Sequence, residues 1–469
     1  MVSGESREDL RGEIVLSSVP NRACAALQQG HSAVRLLIGM SDLKPLQIGL
    51  AGLGNVGTGV YKNLIRNRQL LRERTGREVE VRRIVVKDLH KEREIDVPEG
   101  MLSDRLEDIL EDDSITIVVE LIGGIKQAYA FVCAALESGK TVVTANKALL
   151  AEHGRELFAL AEKHETTIYF EAAVAGGIPI IKTVQESLVG NSIESIIGII
   201  NGTSNYILTR MAEANLSYKE ALKEAQKLGY AEADPALDVN GGDAAHKAVI
   251  LASLSYGKWA PFEEIYVEGI QSVRRVDIQF AEDLGYVIKL LAVIRLADDD
   301  NIEVRVQPSL IPSTHILASV NGVYNAIMVK GDVVGETLFY GSGAGQDPTS
   351  SSVISDIADA ATSNRRGGFV PHGLYGKPLP VDESVSQYYL RLIVDDKPGV
   401  LGQVAGLLGN QGVGILSMIQ KEADEEEGAP IVLMLHDAKF GTVRKAVAEI
   451  SALESVRIEP VLMRVEHVG

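Results

Sequence analysis

The stretch GYAEADPALDVNGGDAAHK, residues 229–247, sets Glu232, Asp234, Asp238 and Asp243 within twelve positions and places Lys247 one helical turn beyond the last. Clustered carboxylates can hold a cationic group. A lysine four residues after Asp243 shares its helix face and can protonate an oxygen that gains negative charge. An idle surface ion pair, worth about 0.3–0.5 kcal/mol, has the same spacing. The spacing alone leaves both readings open, while the apolar AVILASL after Lys247 marks the helix that would carry the pair.

A second chemical signal is GLAGLGNVGTGV, in which Gly52-x-Gly54-x-x-Gly57 follows the apolar strand LQIGLA and opens a helical stretch. In that context Gly52 permits a tight turn, Gly54 lets the backbone approach a pyrophosphate, and Gly57 lets helix and strand pack closely. The helix N-terminus then offers free N–H groups to the anion. The next strand ends at IVVKDLHKER. There Asp88 can accept from ribose hydroxyls, and Lys87, Lys91 and Arg93 can pair with a 2′-phosphate. The choice between NAD and NADP stays open, the basic residues tilting it to NADP.

Two further stretches lie on strand ends. TVVTANKALLAEHG puts Asn146 and Lys147 at the carboxyl rim of a strand, where open α/β sheets bind ligands. A surface lysine at a helix start is the plain alternative. FEAAVAGGIPII joins Glu171 to small residues whose carbonyls could serve a hard cation. It reads equally as an ion-free crossing between domains.

Elements of definite kinds must position these residues. Between Leu46 and Phe170, β-branched runs (LQIGLAG, VEVRRIVV, ITIVVELIG, TVVTA, TTIYFEA) alternate with helical patterns, which implies βαβ units and a Rossmann-type parallel sheet. Residues 171–340 mix long helical patterns with strands such as YVIKLLAVIRLA, an α+β dimerisation layer. The predicted domains are 45–170 for the nucleotide, 171–340, a linker over 364–384, and a compact unit over 385–469. The linker holds four glycines and three prolines. Residues 1–44 read as a poorly ordered extension and not a signal peptide.

With 469 residues, 46% of them hydrophobic, the chain can bury large cores. Its formal net charge of −18 argues against nucleic-acid or anionic-membrane partners. Only two cysteines, Cys24 and Cys133, and no metal-type cysteine spacing fit a reduced, cytoplasmic setting. No apolar run approaches the roughly 20 residues that span a bilayer.

GLGNVGTGV, TANKALLAEHG, FEAAVAGGIPII, NGTSNYILTRM, LGYAEADPALDVNGGDAAHKAVILASL and GSGAGQDPTSSSVISDI occur in this order over residues 46–362. Together they resemble homoserine dehydrogenases. The resemblance implies interconversion of L-aspartate 4-semialdehyde and L-homoserine with NAD(P), in the route to threonine, methionine and isoleucine. It implies that Lys247 is the proton donor and that Glu232 and Asp243 hold the substrate ammonium, with Asp238 behind them. Gly202 and Thr203 would lie near the substrate, residues 171–340 would bind it, and 341–363 would rejoin the nucleotide domain. Asn55, Val56, Lys147 and Gly229 would touch the coenzyme, with Gly345 of GSGAG near the nicotinamide. A structural monovalent cation, Na+ by expectation, would sit on Glu171 and the carbonyls of Val174, Gly176 and Ile178.

The last unit, QYYLRLIVDDKPGVLGQVAGLLGNQGVGILSMIQKE with the strands and helix that follow, has βαββαβ (ferredoxin-like) order. It resembles an ACT domain, which implies amino-acid binding between paired copies and, here, threonine feedback. Asp396, Gly399, Leu401 and the 409–415 loop are the expected contacts. A ligand-free dimerisation module is the alternative, and EADEEEG reads as a solvated hairpin tip. A homodimer or homotetramer is expected. Two other functions fit parts of the pattern: another ACT-bearing dehydrogenase, which would need a catalytic histidine, and a non-catalytic nucleotide-binding sensor, which would not need Lys247.

Overall fold

The computed structural model describes residues 44–297, 301–362, 368–369, 371, 377–421 and 428–467. Residues 1–43 of the N-terminal extension, with Cys24, linker residues 364–367, 370 and 372–376, and residues 422–427 of the EADEEEG tip lie outside them. Among the described residues no helix is long and apolar enough to cross a membrane.

The first sheet comprises β1 (Leu46–Ala51), β2 (Val79–Val85), β3 (Leu102–Ser103), β4 (Ile115–Glu120), β5 (Thr141–Thr144) and β6 (Ile168–Tyr169). All pairs are parallel, in the order β3-β2-β1-β4-β5-β6. This is the doubly wound arrangement, in which the crevice between β1 and β4 takes the ligand. The strands are continuous apolar runs because helices cover both faces. On one face α1 (Asn55–Arg66) packs through Val60 and Leu64. On the other, α2 (Lys126–Glu137) and α3 (Lys147–Lys163) pack through Phe131, Leu149 and Leu157.

The middle of the chain supplies β7 (Ile193–Ile199), α4 (Gly202–Glu213), α5 (Tyr218–Lys227), α6 (Ala236–Val239), α7 (Gly242–Tyr256), β8 (Tyr266–Val267), α8 (Arg275–Asp283), β9 (Tyr286–Leu296), β10 (Asn301–Pro312), β11 (Tyr324–Gly331) and β12 (Gly335–Ser342). The long strands form an antiparallel sheet, β12-β11-β7-β9-β10. After β12, α9 (Gln346–Thr362) returns to the first domain. It lies on α1, where Asn63 bonds Asp347 and Ser350 and a Cβ on Gly59 would sit 2.7 Å from Gln346.

The C-terminal unit runs β14 (Val385–Val394), α10 (Val400–Asn410), β15 (Ile415–Gln420), β16 (Ala429–Lys439), α11 (Phe440–Ser451) and β17 (Val456–Val465), after a short β13 (Lys377–Pro378) that pairs with β10. Its sheet is not free-standing. β17 pairs in parallel with β10 at Ser309–Arg464 and Leu310–Val465, so the two sheets form one of 11 strands.

Charge reinforces that seam. Glu303 on β10 accepts from Arg305 at 2.8 Å, Arg295 at 2.6 Å and Arg464 at 3.3 Å, and Arg305 also pairs with Glu466. Burial raises the Glu303 pKa, but the three guanidiniums outweigh it and bring it down to about 2. A second buried set joins α8 to β14: Asp277 accepts from Tyr389 at 2.8 Å and Arg391 at 2.7 Å.

Candidate active site

α7 starts after Gly241, whose left-handed φ of +86° turns the chain into the helix. Asp243 stands in the first turn, where the helix dipole favours an anion. Lys247, four residues on, donates to Asp243 Oδ2 and to the Ile200 carbonyl, both at 2.7 Å. Both side chains are buried. The pair is therefore no surface ion pair.

Two more groups converge on Asp243. Asn201 caps α4 by accepting from the Ser204 N–H, and its amide nitrogen donates to Asp243 Oδ2 at 2.8 Å and Asp238 Oδ1 at 2.7 Å. Lys147 begins α3, a position the helix dipole disfavours for a cation, and its Nζ lies 3.2 Å from Asp243 Oδ1. Burial raises the Asp243 pKa, but Lys247 and Lys147 together hold it well below the usual carboxylate range. Asp238 differs: burial, and then the Asp243 charge, push its pKa up. Its Oδ2 makes no hydrogen bond among the described residues.

The other expected substrate contacts are spread more widely. Thr203 donates to the Tyr230 carbonyl at 2.7 Å, which ties the start of α4 to the 229–235 loop, and Gly202 is half-buried beside it. Glu232 is exposed on that loop. Its carboxylate makes no hydrogen bond or ion pair among the described residues, and the structure does not bring it into the Asp243 cluster. Gly229, exposed at φ +77°, ends the turn after α5. His246 packs on Phe262, with ring centroids 4.7 Å apart, and not on the lysine pair.

On the nucleotide side the three glycines differ in surroundings. A Cβ on Gly52 would lie 2.4 Å from the Leu121 carbonyl oxygen, and one on Gly57 would lie 2.2 Å from the Gly52 oxygen. A Cβ on Gly54 would meet no protein atom within 4 Å. α1 has no side-chain cap, so the N–H groups that Asn55, Val56 and Gly57 carry at its start are available to an anion. Asn55 also accepts from Gln346 at 3.2 Å, close to Gly345 with its φ of +119°.

After β2, Asp88 Oδ1 accepts from the His90 N–H at 2.8 Å, and Arg93 clamps the carbonyls of Asp88, Leu89 and Lys91. Lys87 is exposed and has no partner among the described residues. Sequence reasoning missed Asn201 and a rim anchor, Glu120. Fully buried, Glu120 accepts from Thr144 at 2.6 Å and the Ile122 N–H at 2.9 Å, and burial pushes its pKa up. Asn201 stood in view beside Gly202 in NGTSN. Glu120 gave no signal inside an apolar strand.

Glu171 is buried, and its two oxygens accept the Ile181 and Lys182 N–H groups at 2.9 Å. Burial pushes its pKa up. Ala175 and Gly176 both have φ of +54°, a costly state for alanine that reorients successive carbonyls. The Gly176 carbonyl accepts from Ser352, and that of Ile178 accepts from the Ile180 N–H. Among the described residues no three His, Cys, Asp or Glu side chains gather around a metal position. One carboxylate with the carbonyls of Val174, Gly176 and Ile178 has the oxygen chemistry that a hard cation takes, although both carboxylate oxygens and the Gly176 and Ile178 carbonyls already accept hydrogen bonds.

A doubly wound domain with this glycine turn, facing a buried lysine–carboxylate cluster, defines an NAD(P)-dependent oxidoreductase. Family models agree segment by segment: "Homoserine dehydrogenase, NAD binding domain" over residues 52–171, "Homoserine dehydrogenase" over 179–358 and "ACT domain" over 388–455. The homoserine dehydrogenase of Pseudomonas aeruginosa is 45% identical over 437 residues, covering 91% of this chain and 100% of that protein. The crystal structure of a homoserine dehydrogenase from Thiobacillus denitrificans superposes with a TM-score of 0.85 at 43% identity, covering 91% of this chain and 99% of that one. A hyperthermophilic archaeal homoserine dehydrogenase in complex with NADPH gives 0.59 at 27% identity, covering 69% and 99%. The chain belongs to the homoserine dehydrogenase family, oxidoreductases that act on CH–OH groups with NAD(P).

Proposed function

We propose that Lys147, Asp243 and Lys247 form the centre at which L-aspartate 4-semialdehyde and L-homoserine are interconverted. The bound coenzyme supplies or takes the hydride at the C4 carbon. In reduction, Lys247 gives a proton to the oxygen that receives the carbonyl electron pair, and in oxidation it takes that proton back. The observation that carries this role is the pair of 2.7 Å bonds from Lys247 to Asp243 and the Ile200 carbonyl. They fix a buried ammonium and leave one of its three N–H donors for substrate. Asp243 aligns both lysines and, with Glu232 and Asp238, attracts the substrate ammonium. Gly202 and Thr203 shape the same wall.

Gly52, Gly54, Asn55, Val56 and Gly57 cradle the pyrophosphate, and Lys147, Gly229 and Gly345 approach the rest of the coenzyme. NADP is the preferred form: the ammonium groups of Lys87 and Lys91 have no partner among the described residues, Asp88 spends one oxygen on His90, and the archaeal relative was solved with NADPH. Glu171 with the Val174, Gly176 and Ile178 carbonyls holds a structural monovalent cation such as Na+. The exposed edge of β12, where Tyr324 and Tyr340 stack at 5.1 Å, supports self-association as a homodimer or homotetramer. L-Threonine regulates through the turn of Asp396, Gly399 and Leu401, where Gly399 opens α10 at φ +93°.

Initial rates with aspartate semialdehyde, using NADPH and NADH side by side, test activity and coenzyme together. Faster turnover per micromolar NADPH is expected, and Lys247→Ala should abolish nearly all of it. Undiminished reduction by that variant would sink the proton-donor role. For regulation, Asp396→Asn should relieve threonine inhibition of the intact chain. Truncation is a poor test, because it strips β17 from β10.

A further inference from the structure

A cavity of about 440 Å³ lies between the middle and C-terminal domains, inside the span of about 300–1,000 Å³ common for small-ligand sites. One wall is the 266–274 segment. The other comes from β14, α11 and residues 458–462 of β17, and none of residues 396–415 takes part.

The lining carries complementary charge that no described partner fully uses. Arg391, 1% exposed, donates its Nε to Asp277, while its Nη1 has no hydrogen-bond partner. A buried guanidinium N–H without an acceptor is satisfied by an incoming anionic oxygen. Glu268 lines the same cavity and accepts from Tyr266 Oη at 3.0 Å. Burial pushes its pKa up, and an ammonium beside it would in turn favour the carboxylate form. Phe440 adds an aromatic surface, with the Arg464 and Arg444 guanidiniums 4.5 and 5.7 Å from its centroid.

We propose that this cavity binds a small α-amino acid, with its carboxylate on Arg391 and Arg444 and its ammonium on Glu268, and that binding acts on the catalytic turn. The site is separate from the Asp396–Leu401 turn, so it goes beyond the threonine reading. The backbone at 268–270 connects the cavity to α6. Glu268 N–H bonds the Val306 carbonyl at 2.8 Å, and Ile270 N–H bonds that of Val239 at 2.9 Å. A Cβ on Gly269 would lie 2.1 Å from the Val239 oxygen, and one on Gly241 would lie 3.2 Å from the Glu268 oxygen. Backbone packed this closely transmits a shift at Glu268 to the segment carrying Asp238 and Asp243.

The test titrates L-threonine, L-methionine and L-isoleucine into the full chain by calorimetry and follows semialdehyde reduction in parallel. Arg391 is bonded to buried Asp277 and stays in place; the variants are Glu268→Gln and Arg444→Gln. At least one amino acid should bind and change the KM for semialdehyde. Each variant should weaken that binding about tenfold or more, with its rate in the absence of amino acid unchanged, and Asp396→Asn should leave the binding intact. The proposal is overturned by no binding of any of the three at millimolar concentration, or by affinities that both variants leave untouched. Binding that alters no kinetic constant overturns the coupling to the catalytic turn.

Discussion

Lys147 and Lys247 hold opposite oxygens of one carboxylate, Asp243, at 3.2 and 2.7 Å. The first lysine opens a helix of the nucleotide domain, and the second sits on a helix of the middle domain. The coenzyme-binding and substrate-binding halves are thus joined by a shared counter-ion. It places two ammonium groups side by side, which in the proposed mechanism face the negative charge that reduction generates.

Asp243→Asn keeps the shape of that link and removes its charge. Buried Lys247 and half-buried Lys147 then lack their common anion, and the expected cost in folding stability is about 3–5 kcal/mol, most of it from Lys247. Turnover should fall by roughly 10²-fold or more, as for loss of a positioned proton donor. The pH dependence has a definite sign. The folded-state pKa of Asp243 lies below its unfolded value, so its stabilisation is complete above the unfolded value of about 4 and is lost as pH falls through the folded one. Urea unfolding below pH 4 should therefore show a shallower acid decline in the variant than in wild type. Parallel declines would contradict the assignment.

Gly54 and Gly57 separate coenzyme binding from folding. No protein atom lies within 4 Å of a Cβ built on Gly54, so Gly54→Ala should leave melting unchanged without coenzyme. It should raise the coenzyme KM about tenfold, because the methyl takes the space of the pyrophosphate. Gly57→Ala drives a methyl to 2.2 Å from the Gly52 oxygen and should destabilise by about 1–3 kcal/mol even without ligand. Equal effects of the two substitutions on melting would defeat this division.

The seam between the middle and C-terminal sheets yields a stability prediction. Glu466→Gln removes one of the two anions that Arg305 pairs with in the interior; Glu303 still holds that guanidinium, so the cost should be below the about 3–5 kcal/mol of a fully unpaired buried charge. Chemical unfolding followed at both the single Trp259 and far-ultraviolet bands should stay one coincident transition, since the sheet is continuous across the seam. Separate transitions in wild type would show that the two units unfold independently.

How much of this was legible beforehand follows from what each element displays. The parallel sheet was readable because β1, β4 and β5 are buried on both faces and so are continuous apolar runs. The βαββαβ order was readable from the alternation of strand and helix periods between Val385 and Val465. Fusion of the two sheets was not, because Glu303, Arg305 and Arg464 look like solvent-facing charges in a strand pattern. Only tertiary pairing shows that they are buried together. At the site, the i,i+4 spacing correctly suggested that Asp243 and Lys247 share a helix face, but it could not place Lys147, almost a hundred residues away, on the same carboxylate. Glu232 was grouped with them by the family resemblance, and in the structure it stands exposed on the 229–235 loop, without a hydrogen bond to the cluster among the described residues.

Lys289 shows the same sign of linkage as Asp243 for the opposite reason: both folded pKa values lie below the unfolded ones, but folding favours the charged carboxylate at Asp243 and the neutral amine at Lys289. It points from β9 into the interior, where Val320, Asn321 and Asn205 oxygens accept from it at 2.6, 2.9 and 3.3 Å. None of these is a carboxylate, and burial brings its pKa from 10.5 down to about 8. Below pH 8 the folded state carries the full cost of the buried charge. Between pH 8 and 10.5 the unfolded chain binds more protons than the folded one, so stability from this group rises with pH. Lys289→Met lacks that contribution, whatever it does to the three acceptors at every pH. Urea unfolding of both proteins at pH 8 and pH 10 should show wild type gaining roughly 2 kcal/mol relative to the variant. A stability difference that stays constant between the two pH values would mean that Lys289 remains charged throughout, held by its oxygen partners more strongly than burial opposes it.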